Sequence, residues 1–308
     1  MAPVPPFNFS QSLWFLSDFG PMKSEQEVRE NSFTKAVEIG GKTIAFEVNG
    51  LGNIEDPKVH FFAFSENKFT AEIEKSVADR ISFFLSLSDD LKEFYKIANR
   101  DGSFKPAVKR FYGHKQVKFL TPFEIACWAI LAQRIPMVIS HRMKENIVKN
   151  LGGFIQVKGV EYRAFPEAQV VAETRMDKLL ELVPNRRKAE YVHGVAEAFS
   201  QVDERWLRSG NYDEVYQWLT EIKGIGDWSA HFVMIRGLGR MEKLTSVEPQ
   251  LALDVSRVYL GKSQPATEQE VCEIAEKYVK WIGYWAYYLR IYAEFAYVFD
   301  EGKKLLIR

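Results

Sequence analysis

Leu219-Thr-Glu-Ile-Lys-Gly-Ile-Gly-Asp-Trp-Ser-Ala-His-Phe-Val-Met-Ile-Arg236 is the most informative run in the chain. One helix is predicted to end at Ile222–Lys223, Gly224 and Gly226 bracket Ile225, and a second helix starts at Asp227. Glycines let the backbone turn sharply and bring bare N–H groups to the start of the second helix, which makes a site suited to a phosphate. Ile225 is placed to plug the groove between the two helices. A glycine pair before a helix also occurs in dinucleotide-binding folds. Those need a preceding strand and a third glycine, whereas here the preceding segment is helical and the third position is Ser229. A purely structural helical turn is the other reading of the motif taken alone.

Upstream, the first third mixes strands and helices. A helix is predicted over Ser10–Phe19. Phe33–Ile39 and Thr43–Val48 flank Gly40-Gly41 as a hairpin, with Ile44, Phe46 and Val48 alternating against polar or small residues. Val59–Phe64 reads as a further strand, and Phe69–Leu87 carries Ile73, Val77, Ile81, Phe84 and Leu85 on one helical stripe. Turn-forming Asn99–Ser103 marks a boundary. Beyond it strand signals fade and helices follow one another: Phe123–Leu131, Pro136–Leu151, Pro166–Glu173, Met176–Leu182, Arg186–Ser200, Tyr212–Ile222, Trp228–Arg236, Pro249–Tyr259, Thr267–Lys280 and Tyr284–Phe299. Thr267 and Glu270 form a capping box at the start of one of them. The expected fold is α+β: a small antiparallel-sheet α/β domain over residues 1–103, then an all-helical domain over 104–308.

Composition narrows the function. The 308 residues are 46% hydrophobic and 27% charged, which excludes disordered and disulfide-scaffold classes. Lys plus Arg equals Asp plus Glu at 41 each, but the balance is uneven. Residues 1–100 hold 11 basic and 15 acidic side chains. Residues 105–150 hold nine basic ones (Lys105, Lys109, Arg110, Lys115, Lys118, Arg134, Arg142, Lys144, Lys149) against Glu124 and Glu145. That local excess is a candidate anion-binding face, with a solvated basic face as the alternative. Cys127 and Cys272 have no CxxC neighbour and sit in apolar helical patterns, so both read as buried thiols. The five histidines lack metal-ligand spacing, and no metal or other cofactor is expected. No apolar run is long enough to span a membrane, and the first residues lack signal-peptide regions. A cytoplasmic, nucleoid-associated monomer with no membrane contact is expected.

Five segments together carry a family resemblance. Ile222-Lys-Gly-Ile-Gly-Asp-Trp-Ser-Ala230, followed by Arg236-Gly-Leu-Gly-Arg240, resembles the helix-hairpin-helix DNA glycosylase superfamily, and within it the bacterial 3-methyladenine-DNA glycosylase II group. Pro122-Phe-Glu-Ile-Ala-Cys-Trp-Ala-Ile-Leu-Ala-Gln133 is similar to that group's first core helix, and Asn185-Arg-Arg-Lys-Ala-Glu-Tyr191 to a later helix start. Trp281-Ile-Gly-Tyr-Trp-Ala-Tyr-Tyr-Leu289 resembles its closing aromatic helix, and Phe7–Leu16 the opening of its α/β domain. The resemblance implies double-stranded DNA with a damaged base as partner. The base is flipped into an aromatic pocket, and its N-glycosidic bond is cleaved through an oxocarbenium-like sugar beside a carboxylate. Alkylated purines, already cationic, would be favoured by an electron-rich pocket.

Carried onto this chain, the resemblance places the catalytic carboxylate at Glu248, where the family has Asp, with Asp254 as the other nearby acid. Gly224, Ile225 and Gly226 become DNA-backbone contacts. Gln133 and Arg134 follow the first core helix, where the family has an apolar wedge; Arg134 would either fill the gap in the base stack or hold a phosphate. Trp228 and Phe232 are expected in the base pocket, with core packing the alternative for Trp228. Trp285 and Tyr288 are expected there too, standing in for a family Trp whose position is Arg290. Bifunctional relatives carry a Schiff-base Lys at the position of Trp228, so a monofunctional enzyme is expected. The alternatives are a lesion-binding protein of weak activity and a glycosylase for a deaminated or oxidised base.

Overall fold

The computed structural model describes residues 1–22, 25–66, 69–244 and 247–300, with side chains up to residue 294. Thr245 and Ser246, next to Glu248, lie outside the described residues, as do the side chains at the end of the predicted Tyr284–Phe299 helix and residues 301–308. The chain forms two compact units, each drawn from two stretches: residues 1–89 with 115–239, and residues 90–114 with 240 onward. The boundary expected at residue 103 falls inside the second unit's first stretch.

In the first unit, α1 (Phe9–Asp18) leads into an antiparallel sheet in the order β1 (Glu27–Arg29), β2 (Ser32–Glu38), β3 (Thr43–Gly52), β4 (Pro57–Phe64). Alternation sets the register, with Val37 opposite Ile44 and Phe33 opposite Val48. The connection is the two-glycine turn expected from sequence. Gly40 and Gly41 both have positive φ, 58° and 71°, and Ile39 and Lys42 exchange backbone hydrogen bonds across it. Helix α2 (Ala71–Phe84) buries Ile73, Val77, Ile81 and Phe84, and the Phe84 ring lies 5.9 Å from Phe33.

Helix α5 (Pro122–Leu131) forms the heart of this unit, because all ten of its residues are buried. Thr121 caps it by accepting from the Glu124 N–H, and Pro122 occupies the first helical position. Helices α6 (Met137–Leu151), α7 (Ala168–Ala172), α8 (Met176–Leu182) and α9 (Arg186–Gln201) follow, then α10 (Glu204–Ser209), α11 (Tyr212–Glu221) and α12 (Asp227–Phe232). Between α6 and α7 a hairpin of β5 (Phe154–Val157) and β6 (Val160–Arg163) interrupts the expected run of helices. Ile155, Val157 and Tyr162 pack with Ala36 and Ala45 of the main sheet. Four-residue strands leave too short a trace of alternation to stand out from loop, although Lys158-Gly159 supplies the positive-φ turn.

The second unit contains α3 (Lys92–Ala98), α4 (Lys105–Arg110), α13 (Pro249–Val255), α14 (Glu268–Ala275) and α15 (Ile282–Asp300). The Thr267–Glu270 capping box is formed as expected. The Thr267–Lys280 helix is shorter than expected, since a tight 3₁₀ stretch (Glu276–Trp281) with non-helical φ and ψ at Val279 separates α14 from α15. Aromatic rings fill the interior, with Phe94, Phe104, Tyr278, Tyr284 and Tyr288 in mutual contact. Their hydroxyls are paired as buried polar groups must be. Tyr259 and Tyr278 both donate to Asp101 Oδ2 at 3.0 Å.

Cys127 is buried and its thiol is pushed well up by desolvation, but Cys272 is exposed on α14, contrary to expectation. The apolar face of α14 runs through Val271 and Ala275, and Cys272 lies off it.

Candidate active site and nucleic-acid interface

Asn211 starts α11 by accepting from the N–H groups of Asp213 and Glu214. The helix ends at Ile222, whose carbonyl accepts from the Ile225 N–H at 2.9 Å and closes the turn. The two glycines of that turn serve different needs. Gly224 has φ +98°, and a Cβ there would lie 2.5 Å from the Tyr191 ring and 2.9 Å from Ile130 Cδ1, so close packing demands glycine. Gly226 has an ordinary φ of −93°, and a Cβ there would meet nothing within 4 Å. No contact inside the protein requires glycine at 226; its bare backbone faces open space at the start of α12. Ile225 is 3% exposed and plugs the turn from within.

The turn after α5 is tied to this loop. Gln133 Nε2 donates to the Gly224 carbonyl at 2.8 Å and reaches Ser229 Oγ at 3.3 Å. Arg134 follows with φ +54° and an exposed side chain. Lys188, a residue given no role from sequence, anchors the arrangement. Its ammonium donates to the carbonyls of Ile130, Leu131 and Gln133 at 2.7, 3.1 and 2.9 Å, capping the end of α5, and burial pushes its pKa down. Its only sequence trace is Asn185, which caps α9 by accepting from the Lys188 N–H. Beyond Arg134, Met137, Val138 and Ile139 form three consecutive exposed apolar residues in the first turn of α6, an arrangement that polar periodicity did not flag.

Trp228 is 47% exposed, so it is not a core residue. Its ring lies parallel to Phe232, with centroids 5.3 Å apart and planes 9° apart, presenting a flat aromatic face one helical turn long. Trp285 and Tyr288 belong to the second unit's interior and are 0% exposed. The Trp285 indole donates to Tyr259 Oη at 2.9 Å. The Tyr288 hydroxyl lies 2.8 Å from that of Tyr95 and 3.1 Å from the Phe111 carbonyl it donates to. Buried to this degree, neither ring offers a face to a base unless its neighbours move, which differs from the pocket wall expected of them.

The basic excess of residues 105–150 is smaller on the surface than in the sequence. Lys115, Lys118 and Lys144 are buried. Lys115 donates to the carbonyls of Val4 and Leu87, and Lys118 to the Phe83 carbonyl and Ser86 Oγ. Lys144 pairs with Glu124 at 2.7 Å and with Glu25. Burial pushes the Glu25 carboxyl up, but the charges of Lys144 and Lys35 outweigh it and hold it down at about 2. Lys105, Lys109, Arg110, Arg134, Arg142 and Lys149 remain exposed.

Glu248 is the residue immediately before α13, with Pro249 opening that helix. Its carboxylate is one-third exposed and lies 3.6 Å from the Arg290 guanidinium. Arg290 also reaches Asp254, with Nε 2.9 Å from Oδ2, while Gln250 Nε2 donates to Asp254 Oδ1 at 2.9 Å. Asp254 itself is fully buried. Desolvation pushes its carboxyl above the ordinary range against the pull of Gln250 and Arg290. Of the two acids, Glu248 alone presents its carboxylate to solvent, and Asp254 is an interior partner for Arg290. Among the described residues no group of His, Cys, Asp and Glu is placed to hold a metal, and no helix is long and apolar enough to cross a membrane.

These features recur in known proteins. No family model matches the chain. A DNA-3-methyladenine glycosylase of Bacillus subtilis (strain 168) is 26% identical over 267 residues, covering 85% of this chain and 86% of the relative. The solved 3-methyladenine DNA-glycosylase from Archaeoglobus fulgidus superposes with a TM-score of 0.77 at 22% identity, covering 96% of this chain and 98% of its own. An 8-oxoguanine glycosylase/lyase of Clostridium acetobutylicum, solved with dsDNA containing cytosine opposite 8-oxoG, gives a TM-score of 0.68 at 18% identity, with 95% and 93% covered. With its glycine-bracketed helical turn, its α+β architecture and relatives of this kind along nearly its whole length, the chain belongs to the helix-hairpin-helix DNA glycosylase superfamily.

Proposed function

We propose that the chain is a monofunctional DNA N-glycosylase acting on alkylated purines, with Glu248 as the carboxylate that stabilises positive charge on the sugar. The observation that carries this reading is the Glu248 carboxylate itself: part-exposed, beside a helix start, and accompanied by a hairpin whose Schiff-base position holds Trp228. An indole has no nucleophilic amine, so the sugar is left to water rather than to a covalent imine. The nearby Lys188 is engaged by three carbonyls and is not a substitute. The flipped base stacks on the parallel Trp228 and Phe232 rings, whose electron-rich faces favour a cationic purine. The bare backbone at Gly226 takes a phosphate, and Arg134 with the Gln133 turn meets the duplex. A charged leaving group needs little protonation, which suits a site with one solvent-facing carboxylate.

Base release from duplexes carrying an alkylated purine, a deaminated base or an oxidised base tests this reading, with binding to abasic-analogue DNA measured in parallel. Release from the alkylated duplex without strand cleavage is expected. Glu248→Gln should keep lesion binding while lowering release by about a hundredfold or more, the usual scale for removing one electrostatic stabiliser. Tight binding with no release from any substrate would make the protein a lesion binder. Strand cleavage trapped by borohydride would end the monofunctional assignment.

A further inference from the structure

The position of Arg290 has a consequence for Glu248 beyond simple pairing. Its guanidinium lies between two carboxylates of different character: the part-exposed Glu248 at 3.6 Å and the fully buried Asp254 at 2.9 Å. Asp254 is itself fixed, since Gln250 Nε2 holds its other oxygen at 2.9 Å. Asp254 belongs to α13, Glu248 immediately precedes that helix, and Arg290 comes from α15. A cation anchored on an interior acid in this way has a defined location, and the acid at the surface is drawn to it. The Nε atom, although close to Asp254 Oδ2, makes no aligned hydrogen bond, so the attachment is ionic and the planar group keeps donors for Glu248. Arg257 is the other cation that acts on Asp254.

We propose that Arg290 is a positioning residue for Glu248: it transmits the fixed geometry of buried Asp254 to the part-exposed carboxylate and orients that carboxylate toward the sugar. This rests on Glu248 being the catalytic carboxylate. It explains how a residue one methylene longer than aspartate is held still at the surface. A free glutamate side chain would sample several rotamers, and catalysis by charge placement tolerates misplacement poorly. Arg290 does not contact the base in this scheme; it acts through the orientation of Glu248.

A double-mutant cycle on base release under single-turnover conditions tests the proposal. Arg290→Gln is expected to lower the rate of release about tenfold while leaving the half-saturating enzyme concentration unchanged, because lesion binding does not use Glu248 orientation. Arg290→Lys keeps a cation between the two acids and should recover a large part of the loss. On a Glu248→Gln background, Arg290→Gln should have no further effect. A tenfold loss that persists on that background would show that Arg290 acts independently of Glu248 and would overturn the proposal. Equal loss in Arg290→Lys and Arg290→Gln, or a loss confined to saturation, would do the same. Full activity of Glu248→Gln alone would instead remove the catalytic assignment of Glu248, a separate failure that the single variant reveals. Thermal unfolding of each variant identifies losses caused by unfolding, and the Lys variant, which keeps the charge beside Asp254, then decides.

Discussion

The Gln133 side chain donates to the carbonyl oxygen of Gly224, joining the turn after the central helix α5 to the glycine loop of the hairpin. That single bond couples two segments 91 residues apart in sequence. Lys188 holds the same turn from the other side through the Gln133 carbonyl. The loop and Arg134 are therefore carried on one frame.

Gln133→Leu should lower stability by about 1 kcal/mol, the ordinary worth of one partly buried hydrogen bond. Urea unfolding measures this. Duplex affinity should fall with it, because the loop loses its lateral support. An unchanged unfolding midpoint would mean that the loop is held without Gln133.

Substitutions at the two glycines should separate fold from binding. Gly224→Ala places a methyl against Tyr191 and Ile130 at φ +98° and should destabilise the protein by about 2–3 kcal/mol. Gly226→Val meets no internal obstacle and should leave the unfolding transition near that of the parent. It should weaken binding to every duplex sequence alike and flatten the salt dependence, because a phosphate contact is lost. Unaltered affinity at matched stability would remove Gly226 from the interface.

Glu248→Asp, although it introduces the residue typical of the superfamily, should lower base release. The shorter side chain retracts the carboxylate by about 1.5 Å, and its separation from Arg290, already 3.6 Å, passes out of pairing range. A rate above that of the parent would show that the longer acid detunes this site.

Lys118 offers a test in pH. It is buried, 4.6 Å over the Phe83 ring, and desolvation pushes its pKa down to about 8 from 10.5. Between those values the unfolded chain binds more protons than the folded one, so this group makes stability rise with pH across that window. Below about pH 8 both states carry the proton and the full cost of burying the charge is present. Comparing Lys118→Met with the parent should isolate a difference in unfolding free energy that changes by about 3 kcal/mol between pH 8 and 10.5. Parallel curves would place the ammonium in a better-solvated setting.

Local signals in the sequence had clear counterparts in the structure. The Gly40-Gly41 hairpin, the stripe of α2, the Thr267–Glu270 box and the glycine-bracketed turn each depend on neighbours within a few residues. Longer-range features were not legible in this way. Lys115, Lys118 and Lys144 look like surface cations because their partners are backbone carbonyls or acids 20 or more residues away. Asn99–Ser103 has the composition of a linker, yet its Asp101 receives two tyrosine hydroxyls from more than 150 residues downstream. Trp285 and Tyr288 fit an aromatic pocket by type alone; only their packing shows them enclosed. The pairing of Arg290 with both Glu248 and Asp254 required two helices to be brought together.

The split composition of the second unit sets an order for the birth of the protein. Phe94, Tyr95 and Phe104 emerge from the ribosome long before Tyr278, Tyr284 and Tyr288, the rings they pack against. At roughly 5–20 residues per second, the intervening chain takes on the order of ten seconds to synthesise. Both stretches of the first unit are complete within that interval, so it gains its core while the early aromatics of the second still wait. Those aromatics are the part of the nascent chain most in need of a chaperone, and arrival of α15 ends their exposure.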